Sequence, residues 1–325
     1  MTSTISVIVP VFNTQDYIRP ALDSLLSQTV SFDEIIVIDD GSTDLSSEIL
    51  KEYFLQEKIK LITQKNKGLG LTRNVGVEAA TSDYIYFFDS DDLASPFLVE
   101  KIKKEIELNP DLEIIVFGAA VFYDDKFDKS TFSPTYERVD LGLYRRFFDA
   151  AVAMERSDTN YSTACLYVLK KRVIDNNNLK FNAYIHEDEA FLMNLIANVG
   201  LTLIIGDKFF NRRVRSGSIM TSKKSYNHVN GYLQASIEAQ KNSEEIASKE
   251  GKKFFEIKAV QYYLSALYIS YKVEGFSKYE SLFKRIQGLP SYNLKPYQII
   301  SILFGRKSPK ALEYFNKFRQ LIKGK

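Results

Sequence analysis

The chain reads as an α/β protein, a mostly parallel sheet flanked by helices and followed by a helical C-terminal extension. Three observations lead there. Short apolar runs rich in β-branched and aromatic residues recur at Ile5–Val11, Glu34–Ile38, Lys60–Thr63, Tyr84–Phe88 and Glu113–Phe117. Helix-like stretches separate them at Asp16–Gln28, Ser46–Gln56, Leu71–Ala80 and Pro96–Leu108. From Tyr226 onward only helical patterns remain, at Tyr226–Lys249, Phe254–Val273, Tyr297–Phe304 and Pro309–Ile322.

Several of the apolar runs are hydrophobic on successive residues, as strands covered on both faces must be. Strand, helix, strand at this spacing implies parallel pairing through crossover helices. Ser95-Pro96 has the form of an N-cap followed by proline at the first helical position. The stretch from Ala119 to Ser225 is less regular, with polar turns at Asp124–Lys129 and Asp175–Asn178 and one acidic patch, His186-Glu187-Asp188-Glu189. A length of 325 residues suits about two domains. The expected organisation is a strand–helix half over 1–120, a second half over 121–225 carrying the acidic patch, and a helical region over 226–325.

Composition removes several classes. A single cysteine, Cys165, excludes a disulfide framework, and with only His186 and His228 there is little room for a histidine metal site or triad. Cys165 reads as a small packed hydrophobe and His186 as a local hydrogen-bonding group. A net charge of +2 argues against a nucleic-acid binder. The N-terminus has no basic and apolar leader, and no run of 18 apolar residues exists, so the chain reads as cytoplasmic. The charge is uneven, however. Phe276–Lys325 holds eleven Lys/Arg against Glu280 and Glu313, a net +9 that leaves −7 for the other 275 residues. Interleaved basic and apolar residues there fit a helix lying on an anionic membrane surface, and equally a homodimer interface with a solvated basic face.

The polar residues that matter fall where strands end. The first strand ends in Pro10-Val11-Phe12-Asn13, the second in Asp39-Asp40-Gly41-Ser42-Thr43-Asp44, and the Tyr84–Phe88 run leads directly into Asp89-Ser90-Asp91-Asp92. In an open parallel sheet these three segments share one edge, the edge at which such sheets bind ligands. Turn and cap chemistry alone accounts for Asp39–Asp44 in isolation. It does not account for three such clusters in register. A carboxylate cluster of this kind attracts a hard divalent cation whose shell is completed by substrate phosphates. Arg73, beside Lys67-Gly68-Leu69-Gly70, supplies a cation for the same diphosphate.

These residues resemble the inverting nucleotide-sugar glycosyltransferases of family 2, which have the GT-A fold. The resemblance rests on Pro10-Val11-Phe12-Asn13, Asp39–Asp44, Gly70-Leu71-Thr72-Arg73-Asn74-Val75-Gly76, the Asp89-Ser90-Asp91 DxD motif and Glu187-Asp188, in order across residues 1–220. Thr72 stands where the family usually has alanine, and Phe12 where tyrosine is commoner. The last hundred residues fall outside the shared motifs.

The resemblance implies that Pro10, Phe12 and Asn13 line the base pocket, and that Asp39 or Asp40 accepts a hydrogen bond from uracil. It sets Arg73 near base and phosphates, and Asp89 and Ser90 at the ribose or donor sugar. Asp91, with Asp89, would ligate Mn²⁺ or Mg²⁺. Asp188 is the implied general base, with Glu187 the alternative. Arg212, Arg213, Arg215 and Ser218 lie where such enzymes have a mobile loop closing on the diphosphate. The implied partners are a UDP-sugar donor and a glycan or lipid-linked saccharide acceptor, as in surface polysaccharide assembly, with a peripheral position on the membrane if the tail binds there.

Two other readings compete. A haloacid-dehalogenase-like phosphatase also has Asp-x-Asp after an apolar strand, but usually on the first strand and with a Thr or Val that Asp91-Asp92-Leu93 lacks. A catalytically inactive sugar-nucleotide-binding module would tolerate loss of Asp91 or Asp188, and both are present.

Overall fold

The computed structural model describes residues 3–124, 127–130, 132–221 and 223–273. The expected helices Tyr297–Phe304 and Pro309–Ile322, and the basic tail, lie outside the described residues. Elements follow in the order β1 (Ile5–Val11), α1 (Ile18–Leu26), β2 (Glu34–Asp39), α2 (Ser46–Leu55), β3 (Lys60–Thr63), α3 (Leu69–Ala79), β4 (Tyr84–Phe87), β5 (Leu93–Ala94) and α4 (Leu98–Leu108). Then come β6 (Ile114–Tyr123), β7 (Gly142–Tyr144), α5 (Phe147–Arg156), β8 (Tyr167–Lys170), α6 (Lys171–Asn176), α7 (Glu187–Asn198), β9 (Thr202–Val214), α8 (Tyr226–Glu245) and α9 (Lys249–Val273).

One sheet runs β3-β2-β1-β4-β8-β6-β9-β5, with β7 also on β9. The β3, β2, β1 and β4 strands are parallel, as their continuous apolar runs predict. The sheet is mostly parallel, as expected, and its antiparallel members lie beyond β4. There β8 inserts antiparallel between β4 and β6, and β5 and β7 lie antiparallel to β9. A strand of four residues, with its partners some 80 and 50 positions upstream, carries no local signal of direction. The stretch read as less regular nevertheless holds β7, α5, β8, α6, α7 and β9 after the loop that follows β6.

Every β1 residue is buried. Pro10 is tolerated in this central strand because the pairing with β4 stops at Ile8 opposite Phe87. Gly76 lets α3 approach β1: a Cβ there would lie 2.3 Å from Ile8 Cγ2. That approach sets the helix bearing Arg73 against the sheet. Tyr86, Phe88, Phe117, Phe209 and Phe210 interlock in tilted and edge-on contacts with centroids 5.4–6.1 Å apart. Each such ring stabilises the fold by roughly 1.5–3 kcal/mol through burial. Cys165 is a buried member of this core, and burial pushes its thiol up.

Two boundaries differ from expectation. The fourth helix begins at Leu98 with Phe97 as its cap, and the Ser95 N–H donates to Phe209 O at 2.8 Å, tying the preceding segment to β9. The long C-terminal helix stops at Glu245, where Ile246 turns extended, and a new helix starts at Lys249.

The described chain divides into two compact units. The first holds residues 3–183 and 195–221, so strands on both sides of residue 120 belong to one sheet. The second holds residues 184–194 and 223–273. Within it α8 and α9 pack through Val229, Leu233, Tyr263, Ala266 and Ile269, and Ser236 Oγ donates to Ala259 O at 2.8 Å. Ser225 caps α8 reciprocally with His228, whose Nδ1 accepts the Ser225 N–H. No helix among the described residues is long and apolar enough to cross a membrane.

Candidate active site

Parallel pairing of β1, β2 and β4 brings their carboxyl ends to one edge, with Val11 opposite Asp39 and Ile8 opposite Phe87. The turns leaving that edge are built from the polar residues read in the sequence. Asn13 adopts φ +52°, a left-handed conformation that asparagine tolerates, and its Oδ1 accepts the Thr43 N–H at 2.8 Å. Phe12 beside it is 46% exposed, a flat apolar face at the sheet edge. Asp39 accepts from Ser42 N at 2.9 Å and from Ser47 Oγ. Asp40 accepts from Gln64 Nε2 at 2.7 Å and from the N–H groups of Lys67 and Gly68, each at 2.9 Å. Both carboxylates are buried and hold the loops together. Burial opposes the charge of Asp44, but bonds from Ser46 and Gln15 prevail and keep it below the ordinary range.

The exit of β4 is different in kind, because there carboxylates face guanidinium groups. Arg73, 2% exposed, donates to Asp89 Oδ1 at 2.9 Å and lies over the Phe181 ring at 5.3 Å. Phe181 is itself pinned by Asn74, which donates to its carbonyl at 2.8 Å and accepts its N–H at 2.9 Å. Arg215 Nε donates to Asp91 Oδ2 at 2.8 Å. Asp92 accepts the backbone N–H of Arg213, whose side chain reaches Asp91 O at 2.8 Å and Asp124 Oδ1 at 2.9 Å. Tyr17 is the hub: Arg213 and Arg215 sit on its ring at 5.0 and 4.6 Å, and its hydroxyl donates to Asp124 Oδ2 at 3.0 Å. Ser90 Oγ accepts from Thr14 Oγ1 at 3.1 Å.

Burial pushes the carboxyls of Asp91 and Asp92 up; Asp89 adds to this in both, while Arg215 opposes it at Asp91. This is a cluster with affinity for positive charge. No three or more His, Cys, Asp or Glu residues form a metal cage among the described residues. Asp89 and Asp91 each give one oxygen to an arginine, and the hard oxygens that remain suit an ion held by one or two carboxylates and by substrate phosphates. The donor set therefore fits Mg²⁺ or Mn²⁺ at Asp89 and Asp91.

Two assignments change. Arg212 and Arg213 belong to β9, in register with Val121 and Phe122, and not to a loop. Arg212 lies over Tyr136 at 4.8 Å. Ser218 builds the turn after β9 with Thr221, their hydroxyls 3.0 Å apart, and Thr221 Oγ1 returns to Arg215 O at 3.0 Å. Tyr17, Asp124 and Phe181 were missed in the sequence. Asp124 looked like a turn residue, and its partnership with Arg213 exists only because β6 and β9 pair in this register.

Glu187 and Asp188 open α7 in the second unit, in the first turn, where the helix dipole favours carboxylates. Glu187 is buried and Asp188 half-buried. His186, at φ +73°, stacks on Tyr232 with centroids 4.1 Å apart, and burial lowers its pKa to about 3, so the imidazole is neutral. Tyr262 donates to Glu189 at 2.7 Å. Gly231 admits this turn: a Cβ there would lie 1.6 Å from Ile185 O.

The model of "Glycosyl transferase family 2" matches residues 6–177, the span that contains every strand-end motif described above. The chain belongs to this family. Among its relatives is the "Glycosyltransferase GlyG" of Streptococcus pneumoniae, 28% identical over 229 residues, 69% of this chain and 75% of that protein. EpsH and EpsJ of Bacillus subtilis are 39% and 32% identical over 137 and 198 residues, 42% and 61% of this chain. The matches span only 40% and 56% of those two proteins. The crystal structure of S. aureus TarS 1-349 in complex with UDP-GlcNAc superposes with a TM-score of 0.68 at 18% identity, over 98% of this chain and 92% of that one. At that identity the likeness establishes the fold, which is the GT-A fold.

Proposed function

We propose that this family 2 protein transfers a hexose or N-acetylhexosamine, with inversion, from a UDP-sugar to a hydroxyl of a glycan or lipid-linked saccharide in surface polysaccharide assembly. The observation that carries the reading is the β4 exit, where Asp89 and Asp91 face Arg73 and Arg215 at hydrogen-bond distance. TarS, of the same fold, is described in complex with UDP-GlcNAc and with UDP, which supports uridine here.

A bound Mn²⁺ or Mg²⁺ supplies Lewis-acid stabilisation of the departing diphosphate. Asp91 and Asp89 are the residues that would hold it. Phe12 offers its exposed face to the base, with Pro10 and Asn13 shaping the pocket. Asp39 and Asp40 shape its floor, and Asp39 or Asp40 takes the imide N–H of uracil. Arg73, fixed by Phe181 and Asn74, sits beside the phosphates, and Ser90 beside the donor. Asp188, with Glu187 as alternative, takes the acceptor hydroxyl proton as the oxygen attacks C1. The C1–O bond breaks on the opposite face and its electron pair leaves with the diphosphate. General-base assistance of this kind contributes about 10²–10⁴-fold.

Calorimetric titration of UDP with and without Mn²⁺, on the wild type and Asp91→Ala, tests the reading. Metal-dependent UDP binding that the variant loses is the expected result. Absence of UDP binding under every condition removes uridine and reopens GDP-linked donors.

A further inference from the structure

The Asp91 carboxylate already has a cation. Arg215 Nε donates to its Oδ2 at 2.8 Å, with the two side chains 15% and 20% exposed. The guanidinium is seated, since it lies over Tyr17 at 4.6 Å, and Tyr17 is anchored through its hydroxyl to Asp124. Asp124 is in turn held by Arg213, which also grips the Asp91 backbone carbonyl. The carboxylate, its guanidinium partner and the aromatic seat thus form one connected assembly at the β4 exit. Arg215 is also the first residue past the end of β9, where strand pairing no longer holds the backbone.

We propose that Arg215 is the resident counter-ion of Asp91, and that the nucleotide diphosphate and its divalent cation enter by ion exchange. Asp91 trades the charge of the guanidinium for that of the cation, while Arg215, kept close by the Tyr17 ring, passes to the diphosphate. The inference rests on the reading of Asp91 as metal ligand. Its physical basis is electrostatic: a guanidinium held on Asp91 Oδ2 neutralises much of the charge that the carboxylate would offer a small hard cation, and the two cations repel. Removing the guanidinium therefore strengthens cation binding in the absence of nucleotide. With the guanidinium present, cation and diphosphate assist one another, because each compensates for what the other displaces. The exchange also gives Arg215 a role that Lys fills in part: a point charge satisfies both anions but lacks the planar fit to carboxylate and ring.

The test is manganese titration followed by electron paramagnetic resonance on the full chain, with and without UDP. Wild type is expected to bind Mn²⁺ weakly alone and more tightly with UDP. Arg215→Gln is expected to bind Mn²⁺ alone about tenfold more tightly, the scale of one partly screened charge-assisted hydrogen bond, and to gain much less from UDP. Arg215→Lys should stay near wild type. Unchanged nucleotide-free Mn²⁺ affinity in Arg215→Gln, with binding lost in Asp91→Asn, overturns the exchange and leaves the metal reading standing. Equal changes in the Lys and Gln variants also overturn it, since the effect then does not follow charge. Unchanged Mn²⁺ affinity in Asp91→Asn, with UDP present, overturns both.

Discussion

The β4 exit and the acidic turn that opens α7 hold carboxylates by opposite means. At the first, Asp89 and Asp91 answer to Arg73 and Arg215, and the geometry is electrostatic. At the second, packing places the turn. His186 stacks on Tyr232, Gly231 admits the Ile185 carbonyl, and Tyr262 bonds to Glu189. A charge-held site can rearrange when another ion arrives, because the exchange is between partners of similar strength. A packed site cannot, because a displaced backbone meets hard contacts. The contrast suits the proposed roles, since a donor site must admit and release a diphosphate while a general base must stay put.

Substitutions in each region separate the two behaviours. Asp188→Asn should lower turnover by about 10²–10⁴-fold with UDP affinity unchanged, in steady-state and binding measurements. Loss of UDP binding instead would move Asp188 out of the base role. Gly231→Ala should destabilise the protein by on the order of 3 kcal/mol, read by thermal unfolding, because its methyl would meet the Ile185 carbonyl. A normal melting curve would show that the turn is less tightly packed than described.

Smaller effects separate the site from its surroundings. Tyr262→Phe removes one bond to a charged acceptor and should cost about 1.5 kcal/mol. Asp92→Asn should raise the melting temperature at neutral pH by about 2–4 °C. Its carboxyl is pushed up in the folded state, by burial first, so the folded protein holds the proton more tightly than the unfolded chain. Stability therefore falls as pH rises through that window, and a neutral side chain removes the penalty. The opposite sign applies at Glu34, where burial is outweighed by bonds from Ser6, Thr81 and Ser82 and the pKa is lowered from 4.5. That contribution is present above 4.5 and is lost as pH falls through the folded value, so Glu34→Gln should flatten acid unfolding by roughly 1 kcal/mol or less, given its partial exposure.

The strands that carry the site were legible in the order of residues alone. Ile5–Val11, Glu34–Asp39 and Tyr84–Phe87 each carry apolar residues at successive positions, a pattern suited to strands buried on both faces. Their polar exits were legible for the same reason, since a carboxylate placed directly after such a strand must lie at the sheet edge. Tertiary structure alone decided the rest. Tyr167–Lys170 could not be read as an antiparallel insertion between β4 and β6, because direction is set by distant partners. Arg212 and Arg213 looked like loop residues until β9 paired with β6 and set Arg213 against Asp124 and Tyr17. Local composition reports which residues can be buried; which charges meet is decided by register, and register is a property of the assembled sheet.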